Sequence, residues 1–325
     1  MKKAKKKSKA LKIILIVFAV YVLLMALIFG IAGHYMNKIN RFGEIETIPA
    51  HEEYFETDDG DGTEVSPGDI IWDPGMDIMD EDLINILLVG QDRRPGQGRQ
   101  RSDSMILCSY NPQNNQLSLV SFLRDLYVQI PGYSDNRLNA AYVFGGFPLL
   151  KETLYLNFGI TVDGCFEVDF DGFTNVIDTI GGVDITLTQA EAAIVGGGAV
   201  AGLCHLNGEQ ALNYARIRYI DSDFNRTARQ RNVINSAIGK LKNCSVKQLM
   251  SLLDTILPLI TTDMSNMDIT SIAVRFAPSL PSISVESHYV PGEGCYQYAK
   301  IRGMSVLVPD LKKVRTALRE EYLPF

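Results

Sequence analysis

Residues 13–33 form a run of 21 positions without a charge, preceded by seven lysines and no acid in residues 1–12. As a helix, a run of that length spans the roughly 30 Å hydrocarbon core of a bilayer. The lysine block orients such a helix with its N-terminus in the cytoplasm, so everything after position 33 folds on the far side. A cleaved signal peptide is the competing reading, but its apolar core is usually about 7–15 residues long and is followed by a small-residue A-x-A site. Neither feature is present, which favours an uncleaved, single-pass anchor.

Residues 34–82 are acidic and rich in glycine and proline, with few apolar positions in any period (HEEYFETDDGDGTEVSPGD, DPGMDIMDED). Such a composition buries too little surface to offset its ordering entropy and reads as an extracellular linker. His51 and Glu52 begin like a HExxH zinc motif, but Phe55 occupies the place of the second histidine.

The folded domain, 83–325, shows short apolar runs at 84–89, 105–109 and 117–122, the last two separated by the turn-forming NPQNN. Helical patterning follows at 138–144 and 149–158, then a strand at 165–170, a helix at 173–180 stopped by Gly181 and Gly182, and a strand at 183–187. Residues 189–208 read as a glycine-rich loop. Helices are expected at 209–214, 226–242, 246–257 and 269–276, a strand at 283–290 and a closing helix at 311–320. This mixture predicts a single three-layer α/β/α domain with a mixed central sheet.

The formal charge is −7, and without the basic tail the remaining 313 residues sum to −14. Nucleic-acid binding requires a broad basic face, which this composition does not provide. Five cysteines without a CxxC give no zinc or redox signature, and four scattered histidines make a histidine-dependent triad a poor fit. No GxxxxGK[ST] and no GxSxG occurs. What stands out is arginine. Between positions 84 and 231 there are eleven arginines and one lysine, and five of the arginines fall within ARIRYIDSDFNRTARQR at 215–231. Lysine would serve solubility equally well, whereas the guanidinium fork grips phosphate oxygens bidentately.

Two constellations follow. If the 84–89 and 105–109 strands are antiparallel neighbours, Asp92 and Asp103 share one sheet edge, and the 117–122 strand delivers Arg124 and Asp125 to the same edge beside Arg101. Hard oxygens beside arginines suit Mg²⁺ bridging phosphates; the plainer alternative is a solvated loop with surface ion pairs. In the second constellation Arg226, Arg229 and Gln230 share a helix face, with Arg216 and Arg218 where a helix ends or bends and Asp223 fixing one arginine; an exposed salt-bridged helix is the alternative. The apolar and aromatic positions from Ala140 to Phe173 read as core, and Gly196 to Gly198 as a flexible turn.

GQD at 90–92, RSDS at 101–104, RD at 124–125, RLNAAYVFGG at 137–146, GGVDITL at 181–187, NGEQALNYARIR at 207–218 and DFNRTARQ at 223–230 together resemble the extracytoplasmic domain of LytR-CpsA-Psr proteins. That resemblance covers roughly 84–324. It implies a membrane-anchored phosphotransferase that moves an undecaprenyl-diphosphate-linked anionic glycopolymer (wall teichoic acid, capsular polysaccharide or similar) onto peptidoglycan of Gram-positive bacteria. It further implies Mg²⁺ held by Asp92 and Asp103, and a diphosphate gripped by Arg101, Arg124, Arg216, Arg218, Arg226 and Gln230. Asp103 or Asp125 would accept the acceptor's proton, and the apolar stretch 140–180 would help line a polyprenyl pocket. The chain departs from the family pattern at Gln100, Ser104, Leu123 and Arg137, and in the short spacer after ARIR. A polyprenyl-phosphate-binding regulator and a lipid diphosphatase are the rival functions.

Overall fold

The computed structural model describes residues 82–91, 99–276 and 278–325, the shorter stretches 33–34, 37–43, 55–58 and 62–73, and residues 49, 60 and 75. The expected anchor at 13–33 lies outside the described residues except for Gly33, and Asp92 lies outside them too. Among the described residues no helix is long and apolar enough to cross a membrane.

A seven-stranded sheet runs, edge to edge, Asn40–Arg41, Thr261–Thr262, Gly164–Val168, Ile84–Gln91, Ser102–Asn111, Gln116–Phe122 and Ser284–Val290. Ser102–Asn111 is antiparallel to both of its neighbours, while Gly164–Val168 runs parallel to Ile84–Gln91 but antiparallel to Thr261–Thr262, and Ser284–Val290 runs parallel to Gln116–Phe122. Alternation along each strand gives the sheet two apolar faces. Leu87, Val89, Met105, Leu107, Val120 and Phe122 pack against the Leu138–Phe158 helix. Ile106, Tyr110, Leu117 and Leu119 face the other way, toward Ile234, Ile238, Ile272 and Phe276. Helices thus cover both faces of a mixed sheet.

The two helical runs expected at 138–144 and 149–158 are both present within Leu138–Phe158, separated at Gly146, whose φ of +64° and ψ of −151° interrupt the helix. A Cβ there would lie 2.6 Å from Phe42 Cζ, so glycine meets both the backbone angle and the close approach. Pro148 falls in the first turn of the helix that restarts after Gly146, where a missing N–H costs little. Tyr142, Phe144, Phe147, Leu150 and Leu154, each fully buried, contribute about 1.5–3 kcal/mol apiece.

Three expectations need correction. Residues 189–208 are not a loop throughout: Gln189–Val195 is a helix opened by a reciprocal cap between Thr188 and Glu191, and Gly202–Leu206 is a strand antiparallel to Val183–Leu187. A late hairpin, Tyr296–Ile301 with Met304–Pro309, is absent from the sequence reading. Parts of the acidic 34–82 segment are built into the domain. Thr63–Glu64 pairs with the hairpin, Asn40–Arg41 pairs with Thr261–Thr262, and Trp72 Nε1 donates to Asp135 Oδ2 at 3.0 Å. Its isolated apolar residues, Phe42, Phe55, Ile70 and Trp72, are partly buried against the core one by one, without a period to announce them.

Asp58 fastens this segment. Its carboxylate accepts from Ser305 Oγ at 2.5 Å and from the Arg137 guanidinium. Burial pushes its pKa up, but those bonds outweigh it and hold the carboxyl at about 2. A depressed carboxyl stabilises the fold above its ordinary pKa, and that contribution is lost as pH falls through the folded value. Asp58→Asn is therefore expected to lower the melting temperature by a few degrees at neutral pH, with the gap to wild type closing between pH 4 and pH 2. A gap that stays constant over that range in thermal melts would contradict this account.

Candidate phosphate site and apolar cavity

The strand register places the site. Gly90 pairs with Ser104, and Ile106 with Ser121. Asp103 therefore sits at the same sheet edge as Arg124, which follows the end of the Gln116–Phe122 strand. Arg124 Nη1 donates to Asp103 Oδ1 at 2.7 Å. Arg218 Nη2 donates to Asp103 Oδ2 at 3.3 Å, and Arg226 Nη2 to the Asp103 carbonyl at 3.4 Å. One residue thus gathers three arginines from two distant parts of the chain, two on its carboxylate and one on its main-chain carbonyl.

Local structure brings the others in. The Gly208–Ala215 helix is closed at its start by reciprocal bonds between Asn207 and Gln210, and it ends at Arg216. Gly208 packs so tightly that a Cβ would lie 2.2 Å from the Thr174 carbonyl. This draws the helix onto Phe170–Thr179 and sets the Arg216 guanidinium 4.2 Å above the Phe170 ring. The Asp223–Leu241 helix, capped by Ser222, presents Arg226 and Gln230 from its first turns. Ser104 Oγ donates to Gln230 Oε1 at 3.0 Å, and Arg226 donates to Asp223 Oδ2 at 3.0 Å, the tethering role foreseen for Asp223.

Arg226 is 2 % exposed, yet its Nε and Nη1 have no hydrogen-bond partner. Buried, unpaired donors each cost about 1–3 kcal/mol. Burial, followed by repulsion from Arg124 and Arg218 that Asp223 offsets only in part, pulls its pKa down to about 10. Asp103 behaves oppositely: burial pushes its carboxyl up, but the charges of Arg124, Arg218 and Arg226 win and hold it below the usual range. Burial raises Asp223 despite Arg226 and Arg124 beside it.

Behind the arginines lies a cavity of about 360 Å³. Asp103, Ser104, Arg216, Arg218, Arg226 and Gln230 form its polar mouth. Its walls come from Leu88, Ile106, Val168, Phe170, Phe173, Val176, Leu212 and the helix residues Val233, Ile234, Ala237, Ile238 and Leu241. From Arg226 to Leu241 the helix rises roughly 22 Å.

Arg101, Arg124 and Asp125 are not among these lining residues. Arg101 donates to Asn139 Oδ1 at 3.1 Å and faces Glu56 at 3.6 Å. Asp125 lies between Arg124 (3.5 Å) and Arg137 (3.4 Å), where it fixes guanidiniums. Arg229, expected beside Arg226, turns instead to Glu191 at 2.7 Å and to Asp221, locking the loop after Arg218. Of the apolar stretch expected to line a lipid pocket, only Val168 to Ile177 does so; Leu138–Phe158 is core on the opposite face. Sequence reasoning also passed over the Val233 to Leu241 wall, whose 3.6-residue spacing looks the same for core and for cavity.

The LytR_cpsA_psr family model matches residues 50–320. The polyisoprenyl-teichoic acid–peptidoglycan teichoic acid transferase TagU of Oceanobacillus iheyensis is 33% identical over 232 residues, 67% of this chain and 72% of that one. The regulatory protein MsrR of Staphylococcus aureus is 35% identical over 169 residues, about half (51%) of each chain. Among solved structures, TagT bound to LIIa-WTA superposes with a TM-score of 0.62 at 25% identity, covering 83% of this chain and 99% of that one. Bacillus subtilis TagV gives 0.57 at 28% identity, covering 76% and 100%. With the family model spanning most of the described domain, the chain belongs to the LytR_cpsA_psr family.

Proposed function

We propose that this chain is a phosphotransferase that takes an anionic glycopolymer from a polyprenyl diphosphate carrier and attaches it to peptidoglycan. The observation that carries the reading is Arg226: a buried guanidinium with two unspent donors, at the head of a long apolar cavity and flanked by Arg124 and Arg218. A diphosphate at that position satisfies those donors and relieves the repulsion, while a polyprenyl tail occupies the apolar walls. The names of TagU and of the TagT complex point to the same substrate class.

In this reading a muramic-acid 6-hydroxyl attacks the phosphorus nearest the sugar. A new P–O bond forms to the acceptor, the bridging P–O bond breaks, and polyprenyl phosphate leaves, the hydroxyl proton passing to its newly freed phosphate oxygen or to water. Arg124, Arg216, Arg218 and Arg226 hold the phosphate oxygens as they gain charge, with Gln230 completing the head-group site and Arg101 supporting the rim; positioning and charge neutralisation supply most of the rate. Asp103, with a depressed pKa and both oxygens engaged, is a weak proton acceptor and serves to array the arginines. Asp125 acts through Arg124.

Among the described residues there is no group of three or more acidic, histidine or cysteine side chains that could hold a metal. Mg²⁺ needs less, since it takes one or two carboxylates and completes its shell with phosphate oxygens and water. Mg²⁺ bound beside the phosphate site would share the Asp103 carboxylate with the arginines, and Asp92, which lies outside the described residues, is the proposed second carboxylate. When bound, the ion would neutralise charge on the diphosphate. The test uses labelled lipid-linked glycan, peptidoglycan and Mg²⁺, with and without EDTA. Transfer abolished by EDTA and restored by Mg²⁺ is the expected result, and EDTA-resistant transfer overturns the metal assignment. The name of MsrR favours a second reading, a regulator that binds polyprenyl phosphate; it predicts tight lipid binding without turnover. Hydrolysis without an acceptor would mark a diphosphatase.

A further inference from the structure

Next to the tether of Arg226, a set of aromatic rings in mutual contact leads to the surface. Phe224 directly follows Asp223, the tether of Arg226. Its ring lies 5.3 Å from Tyr289 and 5.5 Å from Tyr296, and Tyr296 lies 5.3 Å from Tyr298. Tyr298 is 63% exposed, although large aromatic side chains are usually covered. The hairpin carrying these tyrosines is fastened to the site. Tyr298 pairs in register with Leu307, whose N–H donates to the Asp125 carbonyl at 2.9 Å. Asp125 in turn pairs with Arg124. The aromatic rings are thus joined by contact to the residue that tethers Arg226, and they reach the surface at Tyr298. In a lipid-linked glycan the sugar is likewise joined directly to the diphosphate.

We propose that Tyr296 and Tyr298 form a platform for the donor sugar next to the diphosphate. This rests on the phosphotransferase reading above and adds a residue-level assignment for the carried polymer. A sugar ring presents an apolar face of C–H groups and a polar rim of hydroxyls. A tyrosine matches this with an apolar body and a polar tip. Glu293, exposed and close enough to Tyr296 to act on it electrostatically, supplies a polar group at the margin. The alternative occupant, the peptidoglycan acceptor, is distinguished by the test.

The experiment uses the full chain in nanodiscs with two probes, polyprenyl diphosphate bearing a disaccharide and bare polyprenyl diphosphate. Tyr298→Ala is expected to weaken binding of the sugar-bearing probe roughly tenfold, to leave the bare probe unchanged, and so to report its own correct folding. Tyr298→Phe keeps the ring and is expected to bind both probes within about twofold of wild type; Tyr298→Leu keeps the bulk and is expected to behave like the alanine variant. Equal weakening of both probes, or none, overturns the platform. A rise only in the KM for peptidoglycan also overturns it, by moving these rings to the acceptor. A wild-type chain that fails to bind even the bare diphosphate overturns the underlying reading, and that failure is visible before any variant is made.

Discussion

Arg124→Lys is expected to lower glycopolymer transfer on the order of 10²-fold, the usual loss when one transition-state donor is removed. The variant keeps the charge. What it loses is the fork: Arg124 uses Nη1 toward Asp103 and Nε toward Asp125, and a lysine ammonium cannot hold both carboxylates in one plane. Because Asp103 also anchors Arg218, misplacement spreads through the cluster and effects here will not add. Binding of bare polyprenyl diphosphate should fall much less than transfer, since Arg226 remains in place. The readout is kcat with a saturating lipid-linked donor. Near-normal turnover would remove Arg124 from the reaction.

Ala237→Trp is expected to have the second large effect. Ala237 lines the cavity along the Asp223–Leu241 helix, eleven residues beyond Arg226 and so roughly 16 Å deeper. An indole there fills space that is empty in the protein alone, so folding should survive, with a melting temperature close to wild type. A long tail would then stop short and hold the diphosphate away from the arginines. A displacement of about 1 Å is enough to cost about 10²-fold in rate. A donor whose tail ends above this depth should still be processed at close to the wild-type rate. Equal loss for long and short tails would mean that the indole harms the fold or that the tail lies elsewhere.

What the sequence made legible was the part governed by short-range rules. Apolar runs around NPQNN set an antiparallel register, and that register alone carries Asp103 and Arg124 to one edge. The polar ends of ARIR and the spacing of Arg226 and Gln230 located the second half of the site. The destination of a side chain on the same helix was not legible. Arg226 and Arg229 are three residues apart in a cluster of like charges, yet Glu191 claims Arg229 for the scaffold. Glu191 and Thr188 formed a capping pattern that could have revealed the helix hidden in the glycine-rich stretch. The hairpin of Tyr296–Ile301 and Met304–Pro309 escaped because its turn, Arg302 and Gly303 with φ +52° and +77°, does not use the usual Asn-Gly pair. Whether Val233 and Ile238 abut protein or open space depends on tertiary packing, which periodicity does not encode.

The length of the apolar channel bears on the rhythm of the catalytic cycle. After the glycan has gone, the spent carrier keeps its entire hydrocarbon chain and one of its two phosphates, and so retains most of what held it. Chemistry does little to loosen that grip. Under the proposed reaction, therefore, departure of the spent lipid should set the pace, and a rapid first round followed by slow steady cycling is its kinetic signature.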